Sequence, residues 1–354
     1  MNYTETYTLL QTIDQAKKAT SFLRDRYFPT NPNTDIFTSE KVLAEIRKGN
    51  SKMAPFVVPR KDGVEIARDA YSLREIEPAK IAPKRALTID DLKKKGFGEA
   101  LFSDLSEESR ALALTLQDML ELDGMITRRE EWMAMNAMFN NAIQMDYYAD
   151  DGNLYETDVV KFYTEISNPA EYTPNNTWDS GSGDIAGDIM AMVDFLVSEG
   201  NAAEDVILGA EAAAYFIQDQ NIQKLLDNRN FQIGSYAPEL LPDGAAILAK
   251  LNIEGHMLRF ITYAASVWDE NTNTMQKLIP DKWIVMTAPA AGRTVYGAVT
   301  QLEQKDQEFH TYKGIRVPHH VADAGTNSKY ITLTAKPMTI PNAVNPWVSA
   351  KVVA

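Results

Sequence analysis

The sequence contains no cysteine and only four histidines. The lack of cysteine excludes disulfide bonds, thiolate metal sites and cysteine nucleophiles, so stability must come from packing or from association with other chains. No apolar run approaches the roughly 18 residues of a membrane-spanning helix, and the first residues lack the basic and apolar regions of a signal peptide. We therefore predict a protein without a membrane partner that is made and kept in a cytoplasm.

Motifs of common enzyme classes are missing too. The sequence has no GxSxG elbow, no GxxxxGK[ST] phosphate loop and no GxGxxG dinucleotide motif. The adjacent His319 and His320 would point to opposite faces of a strand, so they cannot bind one ion together. The turn at 150–153 lacks the ligand alternation of a calcium loop. These absences predict no catalytic residue, no metal and no cofactor.

The charge is strongly acidic, with a net value of −14. Such a balance argues against a dedicated nucleic-acid binder, which needs clustered basic residues. Residues 52–85 are an exception, because eight basic and five acidic residues give this segment +3 and leave −17 on the remainder. A basic segment on an acidic body can dock on another copy. The alternative is an ordinary solvated hairpin.

Two segments near the start of the chain lack a core of their own. Residues 1–35 carry a short apolar helical pattern that ends at Pro29, and a helix this short cannot bury its apolar face alone. Residues 50–95 have strand-like runs around the turn at Asp62 and Gly63, followed by an extended stretch with Pro78 and Pro83. Both segments should lie on the rest of the chain or on a neighbour.

The strongest helical pattern runs over 104–145, without a proline. A helix of this length would span roughly 60 Å, more than a compact domain needs, and Gly124 is a candidate bend. One apolar stripe is expected at Leu112, Leu116, Met119, Ile126, Met133 and Ala137. The pattern predicts a strut around which an elongated subunit is built.

The second half reads as a hairpin followed by an α/β unit. Met145 to Phe162 predicts the hairpin, and 178–183 reads as a linker with a helix cap at Asp184. Alternating elements then predict an α/β domain. Its expected helices begin at Ile185 and span Tyr215–Leu226, and its expected strands are 206–208, 257–263 and 283–286. Residues 297–354 return to strand-like sequence.

Several strings together resemble the lambda-type (gpE) family of phage major capsid proteins. In the first half these are 37–42 (FTSEKV), 56–59 (FVVP) with 63–66 (GVEI), and 76–84 (IEPAKIAPK). In the second half they are 206–209 (VILG), 278–281 (LIPD), 293–297 (RTVYG) and 346–350 (PWVSA). The resemblance extends over nearly the whole chain as turns and apolar positions.

This resemblance implies an α+β fold of the Hong Kong 97-like phage capsid type. Its parts would be an N-terminal arm (1–35), an E-loop hairpin (50–95), a peripheral domain (36–49, 96–183 and 300–354) with the long spine helix (104–145), and an axial domain (184–299). In such shells the axial domains surround the five-fold and six-fold axes, and E-loops lie over neighbouring subunits.

The implied function is that of the major capsid protein of a tailed bacteriophage, not an enzyme. It would assemble through hexamers and pentamers in the host cytoplasm into the icosahedral capsid of the virion, which encloses double-stranded DNA without sequence specificity. Because the long scaffold segment of some relatives is missing, the scaffold should be a separate protein. A portal is a further expected partner, and a decoration protein is left open.

Expected subunit contacts lie in the two segments without a core. In the E-loop they are Gly63, Lys80, Lys84 and Arg85, and in the arm they are Leu9, Leu10, Ile13 and Phe22. Removal of residues 1–28 should then impair assembly and leave the subunit folded. Two alternatives remain at this point, an encapsulin-like nanocompartment shell protein and an acidic cytoplasmic enzyme.

Overall fold

A computed structural model describes residues 21–47, 71–88, 107–148, 154–162, 171–226, 234–235, 239–241, 244–269, 273–323, 325 and 328–354. Five α-helices and twenty-one strands lie within these ranges, so the predicted α+β class is confirmed. No helix in the described ranges has both the length and the apolar character needed to cross a membrane.

The helices differ widely in length. They are α1 (Phe22–Tyr27), α2 (Glu107–Asn140), α3 (Ile185–Ser198), α4 (Ala210–Gln218) and α5 (Gln220–Leu226), with a 3-10 turn at Trp178–Ser180.

The strands are mostly short. They are β1 (Val42–Arg47), β2 (Tyr71–Ile76), β3 (Lys84–Thr88), β4 (Ala142–Tyr148), β5 (Leu154–Lys161), β6 (Glu171–Tyr172), β7 (Asp205–Leu208), β8 (Gly234–Ser235), β9 (Glu239–Leu240), β10 (Ala245–Ile253), β11 (His256–Tyr263), β12 (Ser266–Asp269), β13 (Thr274–Lys277), β14 (Trp283–Thr287), β15 (Gly292–Tyr296), β16 (Val299–Leu302), β17 (Phe309–Tyr312), β18 (Val317–Asp323), β19 (Ser328–Thr334), β20 (Pro337–Pro341) and β21 (Trp347–Lys351).

The long helix α2 confirms the predicted strut. Its 34 described residues span about 51 Å at 1.5 Å per residue. The predicted stripe is buried at Met119, Ile126, Met133 and Ala137. The helix ends before the predicted residue 145, because Asn141 adopts a left-handed φ of 47° and β4 begins immediately after it. Asp104, the expected cap, lies outside the described residues.

The main sheet has eight strands in the order β6-β21-β14-β7-β11-β10-β8, with β9 beside β10. Alternate side chains of its strands enter two different cores. Val206 and Leu208 of β7 pack with α3, α4 and α5, whereas Ile207 joins the core that contains α1 and part of α2. The sheet therefore separates a helical layer from the strut.

Two sequence interpretations change here. The strand β21 pairs antiparallel with β14 from Trp283↔Lys351 to Thr287↔Trp347, so the last strand of the chain joins the sheet of segment 184–299. No linker separates this unit at 178–183, since Trp178 is 5% exposed and its indole nitrogen donates to Asp188 at 2.9 Å. The predicted cap is confirmed, because Asp184 accepts from the Gly187 backbone nitrogen at 3.0 Å.

Other predicted elements shift by a few residues. The hairpin expected at 145–162 is formed by β4 and β5, and its turn lies outside the described residues. The helix expected at 215–226 is two helices, since Asp219 has an extended backbone between α4 and α5. The strand β10 has no counterpart among the strands predicted from the sequence. The strands expected around 56–58 and 64–68 lie outside the described residues.

Candidate subunit-contact site

The base of the predicted E-loop is an antiparallel ribbon of β1 and β2. Its register runs from Val42↔Ile76 to Arg47↔Tyr71, and Val42 and Ile76 are buried in the core. The chain between the strands, 48–70, includes Gly63 and lies outside the described residues. The E-loop is thus anchored in its own subunit at its base.

The three predicted E-loop cations have different surroundings. Lys80 is exposed, and its charge contributes, after a larger effect from Lys336, to a lowered pKa of the Glu40 carboxyl. The Lys84 ammonium lies 4.2 Å from the centre of the Tyr330 ring in a cation–π contact. Only Lys80 among the three is thus left without a close partner within the described residues.

Arg85 is engaged within its own chain. Its guanidinium donates to Asp118 of α2 at 2.7 Å and also to Glu121. Hydrogen bonds from Arg85 lower the pKa of Glu121, and those carboxylates raise the pKa of Arg85. The strand β3 causes this arrangement, because Arg85 and the buried Leu87 point to the α2 side while Lys84 points away. Arg85 therefore differs from the expectation of a free contact residue.

The root of the arm, α1, is enclosed by its own chain. Phe22, Leu23, Tyr27 and Phe28 are each at most 1% exposed. The Phe22 ring lies 5.1 Å from the Tyr263 ring of the main sheet, centre to centre. Phe22 is therefore a core residue of the subunit, which corrects the expectation that it packs on a neighbour. Leu9, Leu10 and Ile13 lie outside the described residues.

A buried carboxylate pair on α2 holds this root. The Glu131 carboxylate accepts from the backbone nitrogens of Leu23 and Arg24 at 2.8 and 2.9 Å. Burial raises the pKa of Glu131 by more than these hydrogen bonds lower it. The adjacent Glu130 accepts from the Arg24 guanidinium at 2.6 Å. Backbone and side chain of α1 are thus fixed on the strut.

Glu130 also binds Arg316, just before β18. The guanidinium donates to both carboxylate oxygens at 2.7 and 2.9 Å, and its Nε donates to Asp123 at 2.7 Å. The Tyr296 hydroxyl donates to Glu130 as a further ligand. Burial raises the pKa of Glu130, but the charges of Arg316 and Arg24 outweigh it and the net shift is downward. One carboxylate therefore joins the arm root, the strut and the C-terminal strands.

A second buried carboxylate ties α1 to the main sheet. Asp205 accepts from Arg26 at 2.6 Å, from the Tyr27 hydroxyl at 3.0 Å and from Arg259 at 2.6 Å. Its side chain is fully buried, while Arg26 and Arg259 are 26% and 31% exposed. Charge-assisted bonds of this kind fix geometry strongly. The arm root is thus locked on two sides.

Comparison with known proteins identifies the family to which this chain belongs. The model of the family described as phage major capsid protein E matches residues 5–352 of the chain. The chain belongs to this family. It is therefore the major capsid protein of a phage, a structural shell protein of the virion that self-associates, and not an enzyme.

Solved structures share the fold of this capsid protein at low sequence identity. A prophage capsid protein from Escherichia coli CFT073 is 16% identical, with 99% of each chain covered and a TM-score of 0.68. A phage-related protein from Bordetella bronchiseptica RB50 is 8% identical, with 97% of this chain and 95% of the other covered and a TM-score of 0.52. No curated protein matches the chain. These likenesses show the fold, and the family decides between the phage capsid and the nanocompartment.

The capsid protein also exposes apolar side chains in cross-strand pairs. Trp268 of β12 faces Met275 of β13, and they are 57% and 61% exposed. Leu302 of β16 faces Phe309 of β17, with 47% and 77% exposed. Large exposed apolar groups are typical of contact surfaces. Neither pair was predicted from the sequence, because their exposure depends on two-stranded hairpins that are separate from the main sheet.

The turn between β16 and β17 groups three further polar residues. His310 Nε2 lies 2.8 Å from Asp306, and Glu308 is close to both. Asp306 accepts from the Glu308 backbone nitrogen as well, so its carboxylate is already hydrogen-bonded within the turn. This grouping explains the turn's local geometry and adds no argument for a metal.

Proposed function

We propose that this capsid protein builds a shell by placing residues 1–20 and 48–70 on neighbouring copies. Both segments continue directly from roots that are fixed in the subunit body. Residue 21 precedes α1, whose aromatic side chains are buried and whose polar groups bind Glu130, Glu131 and Asp205. Residues 48–70 follow from the paired strands β1 and β2.

Rigid roots support this proposal physically. An appendage on a fixed root meets its partner in a defined direction, which reduces the ordering cost of each contact. The apolar Leu9, Leu10 and Ile13 are the contacts that we propose for the arm, and Gly63 and Lys80 are those that we propose for the E-loop. The shell would be icosahedral, closed through hexamers and pentamers.

The proposed partners follow the same family logic. A separate scaffold protein would guide assembly in the host cytoplasm, a portal would occupy one vertex, and double-stranded DNA would be packaged without sequence specificity. The net charge of −14 supports this last point, since an acidic chain repels phosphate and lacks the basic surface of a dedicated DNA binder.

The test replaces 48–70 by a two-residue Asn-Gly turn. Because Arg47 pairs directly with Tyr71, a type I′ turn can close the ribbon without disturbing its register. We expect the unmodified chain, with its scaffold, to give capsomers or megadalton particles by light scattering and electron microscopy. The shortened variant should melt like the unmodified subunit and give no particles. Normal particles from the shortened variant would contradict the proposed role of the E-loop.

A further inference from the structure

The hairpin of β4 and β5 presents a strand with an open outer edge. Among the described residues, β5 pairs only with β4, from Ala142↔Lys161 to Tyr148↔Leu154. The edge of a strand offers a row of backbone N–H and C=O groups to which another strand can add. The hairpin itself is held in place, because Ile143 and Met145 of β4 are buried in the core that contains part of α2.

The side chains of β5 are accessible on both faces of the strand. Every residue from Tyr155 to Val159 is exposed. Tyr155 and Val159 are four positions apart, so they lie on the same face, and they are 79% and 43% exposed. Apolar side chains exposed beside an open edge are typical of a contact surface. A strand that added to this edge could cover both of them.

The hairpin is also the most one-sided acidic stretch around β5. Residues 142–160 contain no basic residue and five acidic ones, Asp146, Asp150, Asp151, Glu156 and Asp158. Glu156 and Asp158 are exposed and form no salt bridge within the described part of the chain. Burial, and after it the charges of Asp158, Glu156 and Glu77, raise the pKa of the nearby Tyr147. The surface of β5 therefore carries a negative potential.

This charge selects the strand that can add. A second copy of β5 is disfavoured, because pairing would bring its Glu156 and Asp158 close to the same residues here, and like charges across strands destabilise a sheet. A strand with an excess of basic residues is attracted instead.

Residues 48–70 of the chain have this chemistry. They contain three acidic residues against five basic ones, which are Lys48, Lys52, Arg60, Lys61 and Arg68. The alternation of apolar and polar residues at 64–68 is typical of a strand. Half of this 23-residue segment, when extended from its root at β1 and β2, can reach up to about 36 Å. That reach is long enough to bring the segment onto another copy.

We propose that β5 receives residues 48–70 of a second copy as an added strand. The added strand covers Tyr155 and Val159, and its basic residues lie near Glu156 and Asp158. The inference rests on the proposed function, in which 48–70 lie on a neighbouring copy, and it names the surface that receives them.

Charge reversal on β5 tests the proposed surface. Glu156→Lys combined with Asp158→Lys should raise the protein concentration needed to form particles about tenfold, because two modest attractions become repulsions. The melting of unassembled subunits should not change, since both residues are exposed. The matched control is Glu171→Lys combined with Asp194→Lys, which makes the same change in net charge at two other exposed positions. Equal concentrations for the β5 variant and the control, measured by sedimentation with the scaffold, would overturn the inference.

Photocrosslinking identifies the occupant. A benzophenone amino acid replaces Tyr155, or Val159 if the first variant does not assemble, and particles are formed from a mixture of ¹⁴N- and ¹⁵N-labelled copies. Mixed-isotope peptides that join this position to residues 48–70 support the inference. Crosslinks within one copy only, to another segment of the chain or to the scaffold would overturn it.

The two proposals can fail separately. If the variant with a shortened E-loop gives no particles while the β5 variant assembles normally, the proposed function stands and this inference alone is removed. Normal particles from the shortened variant would remove both.

Discussion

Glu130 is one residue that connects several elements of the subunit through buried ion pairs and hydrogen bonds. Its carboxylate is fully buried and lies between the guanidinium groups of Arg24 and Arg316. Breaking a buried ion pair from one side leaves an uncompensated charge, which is more costly than never having had the pair. If Glu130 lost its charge, Arg316 would keep Asp123 and Arg24 would keep Asp25 as a carboxylate partner, but both arginines would lose their fully buried one.

Glu130→Gln should therefore lower the free energy of unfolding of the unassembled subunit by about 3–5 kcal/mol. Urea denaturation followed by circular dichroism measures this. Glu121→Gln is the matched control on the same helix, because its carboxylate is 44% exposed and pairs with Arg85 at the surface. That variant should lose no more than about 1 kcal/mol. Equal losses of unfolding free energy in Glu130→Gln and Glu121→Gln would contradict a larger stabilising role for the buried carboxylate.

The same residue predicts a direction for pH dependence. Because the pKa of Glu130 is lower in the folded than in the unfolded state, its stabilisation is complete above the unfolded value of about 4.3 and is lost as pH falls through the folded value. The difference in stability between the unmodified chain and Glu130→Gln should narrow on acidification.

Sequence reasoning could have found Glu130 but not its partners. The residue lies four positions after Ile126 and seven before Ala137, so it falls on the apolar stripe of α2. A charged residue on such a stripe indicates a buried ion pair. Arg316, 186 positions away, has no local signal, because only the tertiary fold brings it to the helix.

At the scale of elements, the strut was predictable and the arm root was not. The apolar repeat from Leu112 to Ala137 continues for several turns without a proline, and this length predicts a helix. The six residues of α1 are too few to show a period, and their pattern fits a neighbour as well as the subunit's own core. Burial of Phe22 and Tyr27 decides for the core.

Two truncations separate these roles. Removal of residues 1–20 should leave a folded subunit with impaired assembly. Removal of 1–28 also deletes Phe22, Leu23, Tyr27 and Phe28, and each large core deletion costs about 3–5 kcal/mol. The sum of about 12–20 kcal/mol reaches or exceeds a typical stability of about 5–15 kcal/mol, so we expect this subunit not to fold.

Circular dichroism and sedimentation of both truncations test this expectation, which revises the one drawn from the sequence for 1–28. A folded, monomeric subunit lacking 1–28 would show that the contacts of α1 contribute little to stability.

At the scale of the whole molecule, chain order is a poor guide to domains. The strand β21 lies about sixty positions after β14, yet the two pair over five residues, and Val348 and Ala350 complete the core around α3. The sequence of a short apolar strand predicts that the strand is buried, but it does not predict which strand lies beside it. The domain boundary predicted at residue 300 therefore assigned β21 to the peripheral domain, although this strand pairs with β14 of segment 184–299.

The charge pattern of the whole molecule leads to a last prediction, in which Lys80 and Arg85 have opposite roles. Residues 52–85 carry +3 and the remainder −17, so basic groups that are free of intrachain partners should attract a neighbour. Lys80→Glu should lower particle yield, most strongly at low salt, without changing subunit melting; Lys80→Gln should give an intermediate yield. Arg85→Glu should instead destabilise the subunit by about 1 kcal/mol, because it places a third carboxylate beside Asp118 and Glu121.

Raising ionic strength beyond 0.1 M, where screening acts within about 10 Å, should bring the particle yields of the unmodified chain and Lys80→Glu together. The measurement is particle yield by sedimentation across a salt series, with thermal unfolding of unassembled subunits alongside it. Equal yields of the two chains at every salt concentration would mean that the E-loop docks through apolar or shape contacts, and that the +3 excess plays no part in assembly.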